Sequence, residues 1–162
     1  MADAAVILLI EDLEDDVALL RRAFRAAGVP NPVVAVSSGQ EALDYLEGTG
    51  KYRARIDFPL PRLILLDLKM PAMDGFEVLK WIKGRAELRQ IPVIVLTSSS
   101  DLKDIKRAYH LGANSYIAKE AEFGDAVGMS RLLKEYWLGI NRGPQVNEPK
   151  RSPPEEGDDL RA

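Results

Sequence analysis

The stretch Leu63-Ile64-Leu65-Leu66-Asp67 places a carboxylate directly after four consecutive aliphatic residues. A short, continuous apolar run of this kind is typical of a strand that is buried on both faces of a parallel sheet. Four further segments, at residues 5–10, 32–36, 92–96 and 115–118, predict four more strands.

The segments between these strands carry apolar residues at three- and four-residue steps, which predicts amphipathic helices. The apolar positions fall at residues 13–27, 40–46, 76–82, 102–109 and 129–140. Strands that alternate with helices imply βαβ units, and their right-handed crossovers place helices on both faces of the sheet. We therefore expect an α/β fold with a doubly wound, five-stranded parallel sheet.

Composition limits the classes of function. The 162 residues include no cysteine and carry a net charge of −3, so neither a disulfide framework nor a thiolate zinc site can form. The charge balance argues against a nucleic-acid partner, because phosphate backbones require a basic surface. No apolar run reaches membrane-spanning length, and we expect no secretory signal, because no basic region precedes the first strand-like run. We expect a cytoplasmic protein that binds neither nucleic acid nor membranes.

The composition changes near Gly139, after which prolines alternate with charged residues and large apolar residues become rare. Such a segment cannot bury enough apolar surface to offset the entropy of ordering. We therefore predict one domain at residues 1–140 and a disordered, Pro-rich, charged tail at residues 141–162. The tail is too short for a second domain, so we expect no DNA-binding output domain.

Polar residues lie at the predicted ends of four strands. Glu11 and Asp12 follow the first strand, and Asp67 follows the third. Thr97 follows the fourth strand, and Lys119 follows the fifth. Because the carboxyl ends of parallel strands meet at the edge of the sheet where ligands bind, we expect these five side chains to converge.

Three carboxylates in one place favour a bound cation, because two unit charges about 4 Å apart repel by roughly 4 kcal/mol at an effective dielectric near 20. Mg²⁺ fits, since it combines one or two carboxylates with phosphate oxygens. Mg²⁺ and Lys119 can neutralise negative charge, and Thr97 can donate a hydrogen bond. A carboxylate can then act as the nucleophile in phosphoryl transfer and form an acyl phosphate.

Each residue taken alone also has an ordinary explanation. The acids between residues 11 and 16 could be a first turn that is favourable at a helix N-terminus, and we interpret Asp15 and Asp16 in that way. Thr97 alone could be an ordinary strand-end residue, and Lys119 alone a surface charge. The joint placement of these residues at the strand ends favours the phosphoryl-transfer interpretation.

The strand ends carry four motifs, which are Ile10-Glu11-Asp12, Leu65-Leu66-Asp67-Leu68-Lys69-Met70-Pro71-Ala72-Met73-Asp74-Gly75, Val95-Leu96-Thr97-Ser98 and Tyr116-Ile117-Ala118-Lys119. In this order they resemble the receiver domains of two-component signalling, of the chemotaxis (CheY-like) type. The resemblance extends over residues 5–138 and implies a single-domain response regulator with a flavodoxin-like sheet.

The resemblance also implies roles for individual residues. Asp67 would be the phosphoacceptor and a Mg²⁺ ligand, and Asp12 would bind the Mg²⁺ directly. Glu11 would bind it through water, and the backbone carbonyl of Lys69 would be a further ligand.

The remaining implied roles concern the phosphoryl group. Lys119 would pair with a phosphoryl oxygen or with Asp67, and Thr97 would donate a hydrogen bond to the phosphoryl group. Tyr116 would be an aromatic switch that responds to Thr97.

One position departs from the family, which usually places proline after the lysine, often after a cis peptide bond. Here Glu120 follows Lys119, so either the peptide is strained or the lysine approaches differently.

The implied partner is a sensor histidine kinase. The long connection at residues 48–61 and the ending at residues 135–138 resemble regulators that serve bacterial phytochromes.

The implied output surface is formed by the fourth helix, the fifth strand and the fifth helix, and its reader could be a second copy of the chain. Tyr136 and Trp137 could anchor that contact or could simply pack on the sheet.

We considered two other classes of function for a sheet of this kind. A phosphotransferase or phosphatase that uses an aspartyl phosphate, of the haloacid-dehalogenase kind, would require a second Asp two positions after the nucleophile, where Lys69 stands. A flavin-binding module would require a Gly-, Ser- or Thr-rich phosphate loop after the first strand. The acids at residues 11–16 would repel a phosphate there.

Overall fold

The computed structural model describes residues 5–147, and its centre is a parallel sheet of five strands. The strands are β1 (Ile7–Ile10), β2 (Val33–Val36), β3 (Leu63–Leu66), β4 (Val93–Thr97) and β5 (Ser115–Ala118). Their order in the sheet is β2-β1-β3-β4-β5. The predicted doubly wound α/β fold is confirmed.

Within residues 5–147, six α-helices surround the sheet. They are α1 (Glu14–Ala26), α2 (Gly39–Glu47), α3 (Gly75–Lys83), α4 (Leu102–His110), α5 (Lys119–Glu122) and α6 (Ala126–Glu135). Short 3₁₀ turns cover Gly50–Tyr52 and Phe123–Asp125, and a π turn covers Tyr136–Ile140. No helix in residues 5–147 is long and apolar enough to cross a membrane.

Alternation along each strand divides the core into two layers. In β1, Leu8 and Ile10 pack with residues of α2 and α3, whereas Ile7 and Leu9 pack with residues of α1 and α6. Successive side chains of a strand point to opposite faces, so a strand covered by helices on both faces must be apolar at every position. All four residues of β1 and all four of β3 are buried.

Side chains cap most of the helices. Ser38 accepts a hydrogen bond from the backbone N–H of Glu41 at the start of α2, and Asp74 accepts one from Glu77 at the start of α3. Asp101 begins α4 in the same way. Such caps satisfy N–H groups that have no partner within the helix, so they help to determine where α2, α3 and α4 begin.

The connection at residues 48–62 is ordered by its own side chains. The rings of Tyr45, Tyr52 and Phe58 contact one another edge to face, with centroids 5.0 to 6.2 Å apart. The guanidinium of Arg55 donates to the carbonyls of Tyr45 and Leu46, at the end of α2. This long connection is therefore a packed structure that covers one edge of the core.

A segment at residues 141–147, which we call the strap, returns to the amino ends of the strands. The side chain of Asn147 donates to the carbonyl of Leu60 at 2.7 Å and accepts from its N–H at 2.8 Å. Arg62 donates to the carbonyl of Asn141 at 3.3 Å, and Val146 packs against the core. The predicted tail thus begins with a segment that contacts the domain, and its residues 148–162 lie outside the described residues. The domain boundary stays a prediction.

Candidate functional site

The carboxyl ends of four adjacent strands bring the candidate residues together. Glu11 and Asp12 follow β1 directly, Asp67 follows β3, Thr97 ends β4, and Lys119 follows β5. Because β1, β3, β4 and β5 are consecutive neighbours in the sheet, these side chains share one edge. The site is therefore a product of topology, because its members are separated by up to 108 residues of sequence.

Three of these residues form an acidic cluster. Glu11, Asp12 and Asp67 each offer a carboxylate oxygen, and the three oxygens lie within 4.8 Å of one another. Oδ1 of Asp12 is buried and has no hydrogen-bond partner among the described residues. Burying such an oxygen is costly unless a partner compensates for the lost water. The cluster suits a hard divalent cation, which takes oxygen ligands.

Lys119 lies beside this cluster. Its Nζ donates to the carboxylate of Glu11, donates to Oδ2 of Asp16 at 2.8 Å, and lies 3.5 Å from Oδ2 of Asp67. The interpretation of Asp16 as a first-turn acid alone is therefore incomplete, because its carboxylate forms part of the site. Only the packing of α1 near the end of β5 reveals this contact.

Burial and neighbouring charges change the proton affinities of Glu11 and Lys119. Removal from water raises the pKa of Glu11 to about 7, and the charge of Asp67 adds to the rise, although Lys119 opposes it. Burial alone would lower the pKa of Lys119, but the carboxylates of Asp16 and Glu11 raise it instead. Lys119 therefore carries its positive charge at neutral pH, beside the candidate acceptor.

The loop after β3 shapes the surroundings of Asp67. The backbone N–H of Lys69 donates to Oδ1 of Asp67 at 3.2 Å. The side chain of Lys69 is directed to Asp104, with Nζ 3.7 Å from a carboxylate oxygen. Gly75 lies so close to Asp67 that a Cβ there would be 2.2 Å from the Asp67 carbonyl oxygen. The role of the Lys69 carbonyl as a metal ligand stays a prediction.

The two predicted switch residues differ in their hydrogen bonding. Thr97 is fully buried, and its hydroxyl has no partner within the described part of the chain. The Tyr116 hydroxyl donates to the carbonyl of Ser99 at 2.8 Å, and the Ser99 hydroxyl donates to Asp104 at 2.6 Å. Tyr116 is thus tied to the loop that follows Thr97. Their roles as a switch stay a prediction.

The structure shows how the chain accommodates Glu120 at the position after Lys119, where the family usually has proline. Residues 5–147 contain no cis peptide bond, and Lys119 is the first residue of α5. Lys119 is buried and Glu120 is exposed. Of the two alternatives left by the sequence, the lysine therefore approaches the site from the start of a short helix.

A doubly wound parallel sheet that ends in an acidic cluster, a lysine and an unpartnered threonine defines the receiver class of signalling proteins. Residues 7–130 match the response regulator receiver domain family, and the chain belongs to that family.

Relatives and solved structures agree with this assignment. The chain is 43% identical over 145 residues to the probable methanogenesis regulatory protein FilR2 of Methanothrix harundinacea, covering 88% of this chain and 89% of the relative. It is 35% identical over 133 residues to the response regulator Rcp1 of Synechocystis, covering 82% and 88%. The phosphorylated cyanobacterial phytochrome response regulator RcpA superposes with a TM-score of 0.80 at 38% identity, covering 88% of this chain and 99% of RcpA.

A further structure concerns the metal. The Mn²⁺-bound form of Rcp1 superposes with a TM-score of 0.78 at 34% identity, covering 87% of this chain and 99% of that one. Together with the acidic cluster, this likeness indicates a divalent cation site. The chain is a receiver that accepts a phosphoryl group and signals in two-component systems, and receiver domains interact with histidine kinases.

Proposed function

We propose that Asp67 is the phosphoacceptor and that Mg²⁺ is the cation. Mg²⁺ would be bound by Glu11, Asp12, Asp67 and the carbonyl of Lys69. The observation that carries this proposal is the position of Asp67, whose buried carboxylate belongs to the acidic cluster and lies 3.5 Å from Nζ of Lys119. Glu11 shares these two neighbours, so the choice of Asp67 also rests on its motif after β3, which resembles that of receiver domains.

The reaction is a transfer from a phosphohistidine of the kinase. An Asp67 oxygen attacks the phosphorus, and the bond from phosphorus to the imidazole nitrogen breaks as the new P–O bond forms. The electron pair stays on the imidazole, and the product is an acyl phosphate. Lys119 and the Thr97 hydroxyl donate hydrogen bonds to the phosphoryl oxygens. Bound Mg²⁺ supplies charge neutralisation.

The chain turns over no free metabolite in this scheme. It would catalyse only its own phosphorylation and dephosphorylation, and it would act in the cytoplasm, as is consistent with response regulators. For the kinase we propose a bacterial phytochrome, supported by the likeness to RcpA, a phytochrome response regulator. Phosphotransfer profiling against the histidine kinases of the host tests this choice.

The output surface would be the face of α4, β5 and α6, and its reader a second copy of the chain. Tyr116 lies on this face, together with a cavity of about 420 Å³ that Tyr136 and Trp137 help to line. Tyr136 is half exposed, whereas Trp137 packs partly against the core. Light scattering with and without beryllofluoride tests this dimer, and an unchanged mass would reject it.

Acetyl phosphate labelling tests the acceptor. Wild-type protein with Mg²⁺ should gain one phosphoryl mass that hydroxylamine removes, and Asp67→Asn should gain none. Asp15→Asn, which changes an exposed acid beside the site, should label like the wild type. If Asp67→Asn labels as well as the wild type, Asp67 is not the acceptor.

A further inference from the structure

Lys119 has more carboxylate neighbours than its role at the acceptor requires. Its ammonium group donates to Glu11 and to Asp16, and its distance to Asp67 exceeds its distance to Asp16, at 3.5 Å against 2.8 Å. An ammonium group has three donors. In the unphosphorylated protein, two of them are therefore directed to acids other than the acceptor.

The two acids differ in what else they can do. Glu11 belongs to the acidic cluster suited to a cation, whereas Asp16 does not. A cation in the cluster gives Glu11 another positive partner. Asp16 has no such alternative, so it remains the counterion of Lys119 when the cation is bound.

The two acids also differ in access to water. The side chains of Glu11 and Asp67 are 1% and 3% exposed, whereas that of Asp16 is 23% exposed. A released carboxylate needs water or another partner. Asp16, in the first turn of α1, can regain water at the lowest cost of the three. When phosphoryl oxygens take the ammonium group, Asp16 is therefore the acid that can be released without being left buried.

We propose that Asp16 is a positioning residue that competes with the phosphoryl group for Lys119 and so favours the unphosphorylated state. The inference rests on the proposed function of Asp67. A phosphoryl group brings a charge of about −1.5 to −2 to a site that already contains four carboxylates and one ammonium group. Asp16 opposes the phosphoryl group in two ways. Its charge repels the phosphoryl oxygens, and it holds the ammonium group that those oxygens need.

Beryllofluoride, a phosphoryl mimic, provides the test. Its dissociation constant is measured by calorimetry on the full chain at saturating Mg²⁺. Asp16→Asn should bind it about two- to fivefold more tightly than the wild type, the range expected of a partly exposed ion pair. Asp16→Ala should shift in the same direction, and Asp16→Glu, which restores the charge, should return towards the wild type. The ¹⁵N signal of Lys119 Nζ should move in Asp16→Asn before any ligand is added.

Asp15→Asn is the matched control, because it removes the same charge from the adjacent, exposed position and should leave the affinity unchanged. Equal or weaker beryllofluoride binding by both Asp16→Asn and Asp16→Ala would overturn the inference, as would equal shifts in Asp15→Asn. Melting temperatures verify that each variant is folded. Wild-type protein that binds no beryllofluoride would overturn the proposed function, and this inference with it. Normal wild-type binding without an effect of Asp16 would overturn the inference alone.

Discussion

At the scale of single residues, two polar atoms at the site are buried and have no partner among the described residues. They are Oδ1 of Asp12 and Oγ1 of Thr97. An unmade hydrogen bond of a buried group costs about 1–3 kcal/mol, so such atoms are rare in folded proteins. Their positions at the ends of β1 and β4 suit groups that arrive from solution, a cation for Asp12 and a phosphoryl oxygen for Thr97.

Mg²⁺ should stabilise the protein through Asp12. At about 100 times its dissociation constant, Mg²⁺ should raise the free energy of unfolding by about 2.7 kcal/mol. Asp12→Ala should raise the stability of the metal-free protein, because it removes one repelling charge, and should abolish the response to Mg²⁺. Calorimetric melting with and without Mg²⁺ measures both effects. Glu14→Ala, at an exposed position, should keep the response. A wild-type melting temperature unaffected by excess Mg²⁺ would contradict the assignment.

Gly75 should not accept a side chain. A Cβ there would lie 2.2 Å from the carbonyl oxygen of Asp67 and 2.6 Å from Cα of Leu68. These are backbone atoms, which cannot rotate away, so Gly75→Ala should lower the free energy of unfolding by about 1–3 kcal/mol. Urea denaturation measures the change. Gly124→Ala is the control, because an added Cβ would meet no heavy atom within 4 Å. Equal stability of the two variants would show that the loop after Asp67 can move.

The sequence predicted which side chains converge at the strand ends better than it predicted the contacts among them. Asp67 and Lys119 could be placed because each follows a strand, and the ends of parallel strands meet. The contact between Asp16 and Lys119 could not, because it joins residues 103 positions apart through the packing of α1. An acid in the first turn of a helix is common for local reasons, so periodicity carries no signal of this second role.

At the scale of elements, the strands were predicted closely and the last helix was not. The predicted bounds of β3 and β5 match the structure, and β4 lies one residue later than predicted, at Val93–Thr97. The single helix predicted from the apolar stripe at residues 129–140 is α6 followed by a π turn, Tyr136–Ile140. Asp125 caps α6 by accepting from Gly128. A stripe of apolar residues indicates a buried face but does not distinguish 3.6 residues per turn from a local π turn.

The start of α2 should depend on pH through Glu41. Its carboxylate accepts hydrogen bonds from the Ser37 N–H at 2.9 Å and the Tyr52 hydroxyl at 2.6 Å. Burial alone would raise the pKa of Glu41, but these bonds and Lys51 lower it to about 2. Because the folded pKa lies below the ordinary value of 4.5, the bonds stabilise the fold above about pH 4.5, and this contribution is lost as the pH falls towards 2.

Glu41→Gln should therefore destabilise the protein at pH 7 by about 1 kcal/mol, a modest figure because the group is partly exposed. The difference from the wild type should shrink at pH 3. Urea unfolding at both pH values measures it. Glu77→Gln, at the corresponding position of α3 but exposed, should show no such dependence. A Glu41→Gln deficit that is equal at both pH values would contradict this prediction.

At the scale of the whole molecule, the strap and the candidate site lie at opposite ends of the strands. Asn147 contacts Leu60, ahead of the amino end of β3, whereas Asp67 follows its carboxyl end. Stability and phosphorylation should therefore respond separately to changes in the strap. We propose that the domain requires residues up to 147 for full stability and that phosphorylation does not require the tail.

Asn147→Ala should lower the free energy of unfolding by about 1 kcal/mol, because the N–H and the carbonyl of Leu60 each lose a hydrogen bond. The effect is modest because Asn147 is exposed. Ending the chain after Arg142 should lower the melting temperature further and leave acetyl phosphate labelling intact. Thermal melting and mass spectrometry measure the two effects. Gln145→Ala, at an exposed position of the same segment, should have little effect. Loss of labelling in the shortened chain would connect the strap to the site.

The position of β1 in the sheet affects how the chain must fold during synthesis. β1 lies between β2 and β3 and pairs with both in parallel, so no hairpin can cover either edge. Its second edge stays open until β3 has emerged from the ribosome, about 30 residues after β2. At about 5–20 residues per second this is a delay of a few seconds. An apolar strand with an open edge can pair with other chains. The nascent chain should therefore need protection by chaperones before it can signal.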